Sequence, residues 1–292
     1  MAVKFFGQFL MEEGVISRET LLKAIELQES ANLKFGEIAL SLGTLKETDI
    51  IQVHDAQRTE DLRFGDMAVK LGLITEEQMN QILTKQKNSH LYIGEALVKI
   101  GGLNEEDLHR YLSKFKADQA PYMVEKISIP QEISDPQVWE IVADLTYKML
   151  TRVVNLSVRP GPCQLVKALS RNEVVAAMDF SGSTNGRYLL SVSSGIQTAI
   201  AQAILKEENV EHETKEVLDD AVMEFVNIVC GNVAAKAAQV GKSIDISPPE
   251  VFHPDGNDTP VPSGQIGLLF PLYMADGEKV EPAVFIKQGN AP

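Results

Sequence analysis

The chain is expected to fold as two domains of different class: all-α tandem helical hairpins, then an α+β (α/β) domain with helices packed on a mainly antiparallel sheet. Three observations predict this. Glycines recur with a fixed period through the first third of the sequence. Apolar residues keep helical spacing up to about residue 150, and beyond it their period shortens toward two. With 292 residues and 44% hydrophobic content there is enough chain and enough apolar side chain for two cores.

The repeat comes first in chain order. The same pattern begins at Phe5, Lys34, Arg63 and Tyr92, each start 29 residues after the last, with a motif of 24 residues and a spacer of five. Gly7, Gly36, Gly65 and Gly94 hold its third position, and Gly14, Gly43, Gly72 and Gly101 its tenth. Between the two glycines lies an apolar run such as Phe9-Leu10-Met11, and the second glycine suits a helix C-terminal stop. Ser17, Thr75 and Asn104 are good N-caps for a second helix, whereas Lys46 holds the same position in the second copy. Each copy is therefore a helix, a turn and a second helix. A single hairpin cannot bury its own apolar face, so the four copies must stack.

Residues 1–118 form this domain and 119–134 a linker, with Pro121 and Pro130 and a short strand over 124–129. The second domain spans 135–292. Pro136 suits a first helical position, followed by a buried stripe of Val138, Ile141, Val142, Leu145, Met149 and Leu150. Strands are expected near 155–158, 163–170, 173–180 and 187–193, with Asn185-Gly186 as a tight hairpin turn between the last two. A helix over 195–205 and a longer one from about Thr214 follow. Residues 248–264 read as a Pro/Gly/Asp-rich loop, and strands over 266–273 and 282–287 close the chain.

The long helix has two incompatible faces. At about 100° per residue, Leu218, Val222, Phe225 and Val229 gather on one side and Asp220, Glu224, Asn227 and Gly231 nearly opposite. The first stripe is core. The second offers two carboxylates, an amide and a glycine one turn apart, and a partner can meet all four at once. An E-x-x-N spacing alone is weak evidence, because most such triplets are simply a solvated face.

Composition narrows the partners. The 27 Lys+Arg against 41 Asp+Glu give a net charge of −14, which argues against nucleic acid and suits a partner with exposed lysines. Cys163 and Cys230 sit in apolar contexts without metal-ligand spacing, so neither a disulfide framework nor a metal site is indicated. No contiguous apolar run approaches about 18 residues and no leader pattern opens the chain, so the expectation is a cytoplasmic protein without membrane insertion. Gly241-Lys242-Ser243 lacks the first glycine of a phosphate-binding loop, which would fall at Lys236. The five histidines are scattered and read as ordinary surface or repeat residues.

In period and glycine placement, residues 5–115 resemble the MshEN or GspE-type N-terminal domain of secretion and pilus ATPases. The resemblance implies cyclic di-GMP as an effector, held by motifs that open Arg-Leu-Gly and end in Gln. Here Arg63 alone matches at the first position, while Gln28, Gln57 and Gln86 match at the last. Replacing three arginines removes most of the cationic forks that two phosphates want. Two readings stay open: a docking module on the retained scaffold, and a nucleotide receptor built on Lys34 with Gln28 and Gln57 or on Arg63 with Gln86.

Residues 123–288 resemble the CheX-type members of the CheC/CheX/FliY chemotaxis phosphatases. The resemblance is carried by element order, by Asp220, Glu224 and Asn227 in the D-x-x-x-E-x-x-N row, and by Ile244-Asp245-Ile246-Ser247-Pro248-Pro249. It implies hydrolysis of the aspartyl phosphate on a response-regulator receiver domain, without a covalent enzyme intermediate and with Mg²⁺ supplied by the receiver. This chain then binds no cofactor of its own, and relatives of this type often pair as homodimers. Within the row, Asn227 orients water, Glu224 docks on a receiver lysine, Asp220 supports, and Gly231 admits a close backbone. Ala143 stands three residues after Glu140 on the first helix, where a second copy of the site would need an amide. The competing reading is an adaptor that binds a receiver or a motility or secretion component without catalysis.

Overall fold

In the computed structural model, residues 3–122, 128–130 and 133–287 are described. The chain divides into two compact units, Met1–Pro121 and Tyr122–Pro292.

The first unit is built from four helix pairs at the repeat's own spacing: α1 (Phe6–Glu12) and α2 (Arg18–Ala31), α3 (Phe35–Ser41) and α4 (Glu47–Gln57), α5 (Phe64–Lys70) and α6 (Glu76–Ser89), α7 (Ile93–Lys99) and α8 (Glu105–Gln119). The second helices start where capping chemistry allows. Ser17, Thr75 and Asn104 accept from the backbone N–H of Thr20, Gln78 and Asp107, while at Lys46 the Asp49 carboxylate instead accepts from the Lys46 N–H at 2.8 Å. Gly14, Gly43, Gly72 and Gly101 have φ of 70°, 65°, 71° and 72°, the left-handed conformation a side chain resists. The third-position glycines answer a different need. A Cβ on Gly94 would stand 2.5 Å from Leu108 Cδ1, and one on Gly65 3.0 Å from Met79 Cγ.

The copies do not form one core. Copies one and four share a cluster that includes Phe6, Leu10, Leu21, Ala96, Leu97 and Leu108. Copies two and three share another, with Phe35, Ile38, Val53, Met67 and Ile82. Packing is by exchange: α2 lies against α7 and α1 against α8, as α4 lies against α5 and α3 against α6. The Phe35 and Phe64 rings meet at 5.6 Å between centroids, each over the other copy's third-position glycine.

The second unit opens, among its described residues, with α9 (Pro136–Arg152) and continues through β1 (Val158–Pro160), β2 (Gln164–Val166), β3 (Ala168–Leu169), β4 (Val174–Gly182), β5 (Gly186–Val192), α10 (Ser194–Leu205) and α11 (Lys215–Gln239). It closes with β6 (Ile244–Ile246), β7 (Glu250–Phe252), β8 (Thr259–Pro260), β9 (Gln265–Leu269), β10 (Leu272–Met274) and β11 (Lys279–Lys287). Nine strands make one sheet in the order β1-β10-β11-β5-β4-β6, with β9 also on β11, β2 on β9 and β7 on β4; every pairing is antiparallel. Helices α9, α10 and α11 cover one face over Met178, Phe180, Tyr188, Leu190 and Val284. A small β3–β8 flap covers part of the other, over Val175, Ala177, Leu189, Ala283 and Phe285.

Three expectations change. The strand expected over 124–129 lies largely outside the described residues, and Ser128 and Ile129 are not in one. The loop expected over 248–264 contains β7 and β8, strands too short to show a period of two. The Asn185-Gly186 turn is not a two-residue hairpin: pairing ends at Phe180 with Gly186, and the positive φ (109°) is at Gly182. Gly186 is needed because a Cβ there would stand 2.8 Å from Trp139, a core residue missing from the expected stripe, whose indole N–H donates to the Ser134 carbonyl.

Candidate functional site

The row is carried by α11, a 25-residue helix capped by Thr214, whose hydroxyl accepts from the Val217 N–H. Its core face carries Val222, Phe225, Val226, Val229 and Val233, all at 0% exposure. By length and composition α11 could cross a membrane, yet 56% of its most apolar stretch is buried inside the unit, which accounts for that apolarity as core. The opposite face carries Asp220, Glu224 and Asn227, all exposed, and Gly231, partly covered. Asn227 Nδ2 donates to Glu224 Oε2 at 3.4 Å, a long and weak contact between two exposed side chains. Asn232, the residue after Gly231, is buried and donates to the Ile228 carbonyl at 2.8 Å.

The start of α11 is fixed by residues that lie far apart along the chain. Asp219 accepts from Gln197 Nε2 on α10 at 2.7 Å and pairs with His253 Nε2, after β7, at 2.9 Å. His253 Nδ1 faces the Glu173 carbonyl at 2.9 Å. His253 is thus a tie between α11 and the strand layer. No local pattern could show this, because the two partners are 34 residues apart.

On α9, Ala143 is 3% exposed, so a second amide could not be presented from that position. A depression of about 490 Å³ is walled by Glu140, Tyr147, Lys236, Val240 and Phe270 among others, and no residue of the row lines it. The row instead stands proud on a helix, a shape that meets a macromolecule rather than enclosing a small one. Both thiols are free, and burial pushes Cys163 up to about 11 and Cys230 further in the same direction, so neither is a ready nucleophile. Among the described residues, Glu207, His212 and Glu213 bring ligand atoms within 4.8 Å of one another in the loop before α11, where His212 Nε2 and Glu213 Oε1 already pair at 3.1 Å.

In the repeat unit the three motif-ending glutamines are tied to backbone. Gln28 donates to the Leu91 carbonyl at 3.1 Å, Gln57 to Leu62 at 2.8 Å and Gln86 to Leu33 at 3.2 Å. Each carbonyl immediately precedes a motif start, so Gln86 sits at the base of Lys34, Gln57 at the base of Arg63, and Gln28 at the base of Tyr92. This differs from the grouping of Lys34 with Gln28 and Gln57, and of Arg63 with Gln86. The physical reason is the exchange of copies, which carries the end of each of these helices to the start of a neighbouring motif.

Residues 174–272 match the family model of the chemotaxis phosphatase CheX. The row lies inside that stretch. The CheY-P phosphatase CheX of Thermotoga maritima is 23% identical over 159 residues, covering 53% of this chain and 99% of that protein. Among solved structures, CheX from Desulfovibrio desulfuricans is similar with a TM-score of 0.46 at 16% identity, over 52% of this chain and 99% of that one. The Borrelia burgdorferi CheX–CheY–BeF3–Mg complex gives 0.44 at 22% identity, over 52% and 98%.

Proposed function

We propose that the C-terminal unit hydrolyses the aspartyl phosphate of a response-regulator receiver domain. The observation that carries this reading is the exposed Glu224–Asn227 pair on α11, inside the stretch matched by the CheX family model. The Thermotoga relative named CheY-P phosphatase supports the same substrate class.

Water attacks phosphorus, the bond from phosphorus to the aspartyl oxygen breaks, and the products are inorganic phosphate and the receiver's free carboxylate. Such a loose transition state asks for alignment and charge neutralisation more than for a strong base. Asn227 meets the first need, because one amide can donate to and accept from the same attacking water. Glu224 is an anion and would repel the phosphoryl group. It serves instead to grip a cationic side chain beside the phosphorylation site. Asp220, one turn earlier, adds to the same attraction, while Mg²⁺ held by the receiver would supply charge neutralisation at the phosphoryl oxygens.

The test is the decay of aspartyl phosphate on purified receivers of the host, with and without the full chain. Faster release of phosphate from one of them is expected. Unchanged decay across the panel, with binding retained, would favour the adaptor reading.

For the repeat unit we propose docking or regulation. Cyclic di-GMP is the less supported effector, because the amides of Gln28, Gln57 and Gln86 already serve backbone carbonyls. Calorimetric titration with the dinucleotide is expected to show no heat into the high micromolar range; saturable heat lost in Arg63→Ala would restore it.

A further inference from the structure

We infer that Gly231 is a specificity-determining contact of the α11 face, an open position without a side chain that admits the main chain of the phosphorylated receiver's loop. The inference rests on the phosphatase reading of α11.

Gly231 lies inside a helix that continues to Gln239, so it neither caps nor ends it. Its φ is not positive, and nothing in the backbone requires glycine. Glycine is the poorest helix former after proline, so the chain gives up helix stability at this position. Elsewhere the fold supplies a reason for such a loss. Gly94 and Gly186 would drive a Cβ into Leu108 and Trp139. At Gly231 a Cβ would meet nothing within 4 Å among the described residues. The space is open, and the protein's own packing does not ask for it.

Its position says what does. At about 100° per residue, Gly231 falls within about 20° of both Asp220 and Glu224 and about 40° from Asn227, all on one narrow face. A phosphorylated aspartate is a short side chain. For its phosphorus to reach a water on Asn227, the loop that carries it must come down almost onto the helix, and the turn beside Asn227 is where that backbone arrives. A methyl group there would hold the loop away; its absence lets main chain and helix approach. Gly231 touches no reacting atom. Its part is to set how close the substrate comes.

The test uses the full chain carrying Gly231→Ala or Gly231→Leu, with helicity checked by circular dichroism. Gly231→Ala is expected to melt at a higher temperature than wild type, since it mends the helix. Its KM for the phosphorylated receiver is expected to rise by about tenfold, the order that a methyl forced into a packed contact costs, with a smaller change in kcat. Gly231→Leu should weaken the complex further. A more stable Gly231→Ala with wild-type KM overturns the inference while leaving the phosphatase reading intact. If the wild type speeds no receiver's decay, binding of a beryllofluoride-loaded receiver decides. Binding that Gly231→Ala weakens keeps Gly231 as part of an adaptor's surface, and absence of binding removes both.

Discussion

The repeat unit and the C-terminal unit use the same residue types under different constraints. In the repeats the motif glycines answer to the fold, at the tenth position to a left-handed backbone and at the third to a neighbouring side chain, closest at Gly7 and Gly94, where a Cβ would stand 2.4 and 2.5 Å from Leu21 and Leu108. On α11 the glycine one turn after Asn227 is demanded by nothing among the described residues. Cores differ in the same way: the repeats divide theirs between two small clusters, while one large cluster joins α9, α10, α11 and the sheet. A residue that its own fold explains says little about function. One that its fold leaves unexplained, on an exposed face, points outward.

The largest expected effect probes the large core. Trp139→Ala should destabilise the chain by about 3–5 kcal/mol in urea denaturation, because the indole is fully buried and also satisfies the Ser134 carbonyl. A loss below about 1 kcal/mol would mean that the two kinds of core are less different than described. Next comes the contrast between glycines. Gly94→Ala should cost about 1–3 kcal/mol as Leu108 is pushed aside, opposite in sign to the effect expected at Gly231. Equal signs at the two sites would break the distinction.

The glutamine ties come third. Gln57 is 5% exposed, so Gln57→Ala strands the Leu62 carbonyl and should cost about 1–3 kcal/mol. Gln86→Ala, at a more open bond, should cost visibly less. The smallest effect concerns Glu281, 5% exposed, with Oε2 lacking a hydrogen-bond partner among the described residues and Oε1 accepting from Ser170 at 3.3 Å. Burial first, and the nearby Asp258 carboxylate, raise its pKa, against Lys279 and Ser170, which lower it. A carboxyl raised on folding stabilises below its unfolded pKa and loses that contribution as pH climbs through the folded one. Glu281→Gln should therefore gain melting temperature over wild type progressively as pH rises through and above the ordinary glutamate range; a constant difference would show that the carboxyl does not titrate there.

Much of this was legible in the sequence, and the reasons for the rest are physical. Glycines forced by local backbone or by a partner 14 residues on, such as Gly94 against Leu108, repeat with the chain and show as a period. The α11 faces were legible because one helix holds both stripes. The exchange of copies one with four and two with three was not, since four similar hairpins carry no mark of which neighbour each will meet. Nor were the Asp219–His253 tie and the reason for Gly186. Both depend on residues brought together by the sheet, and Gly186 between polar neighbours looks the same whether it makes a turn or clears space for an indole.

The most direct measurement is a steady-state comparison of wild type, Asn227→Ala and Glu224→Ala on one phosphorylated receiver. Asn227→Ala should lower kcat by about a hundredfold or more with KM little changed, as loss of the water-aligning group, while Glu224→Ala should act chiefly through KM. If Asn227→Ala releases phosphate at the wild-type rate, the row on α11 is not the site of hydrolysis.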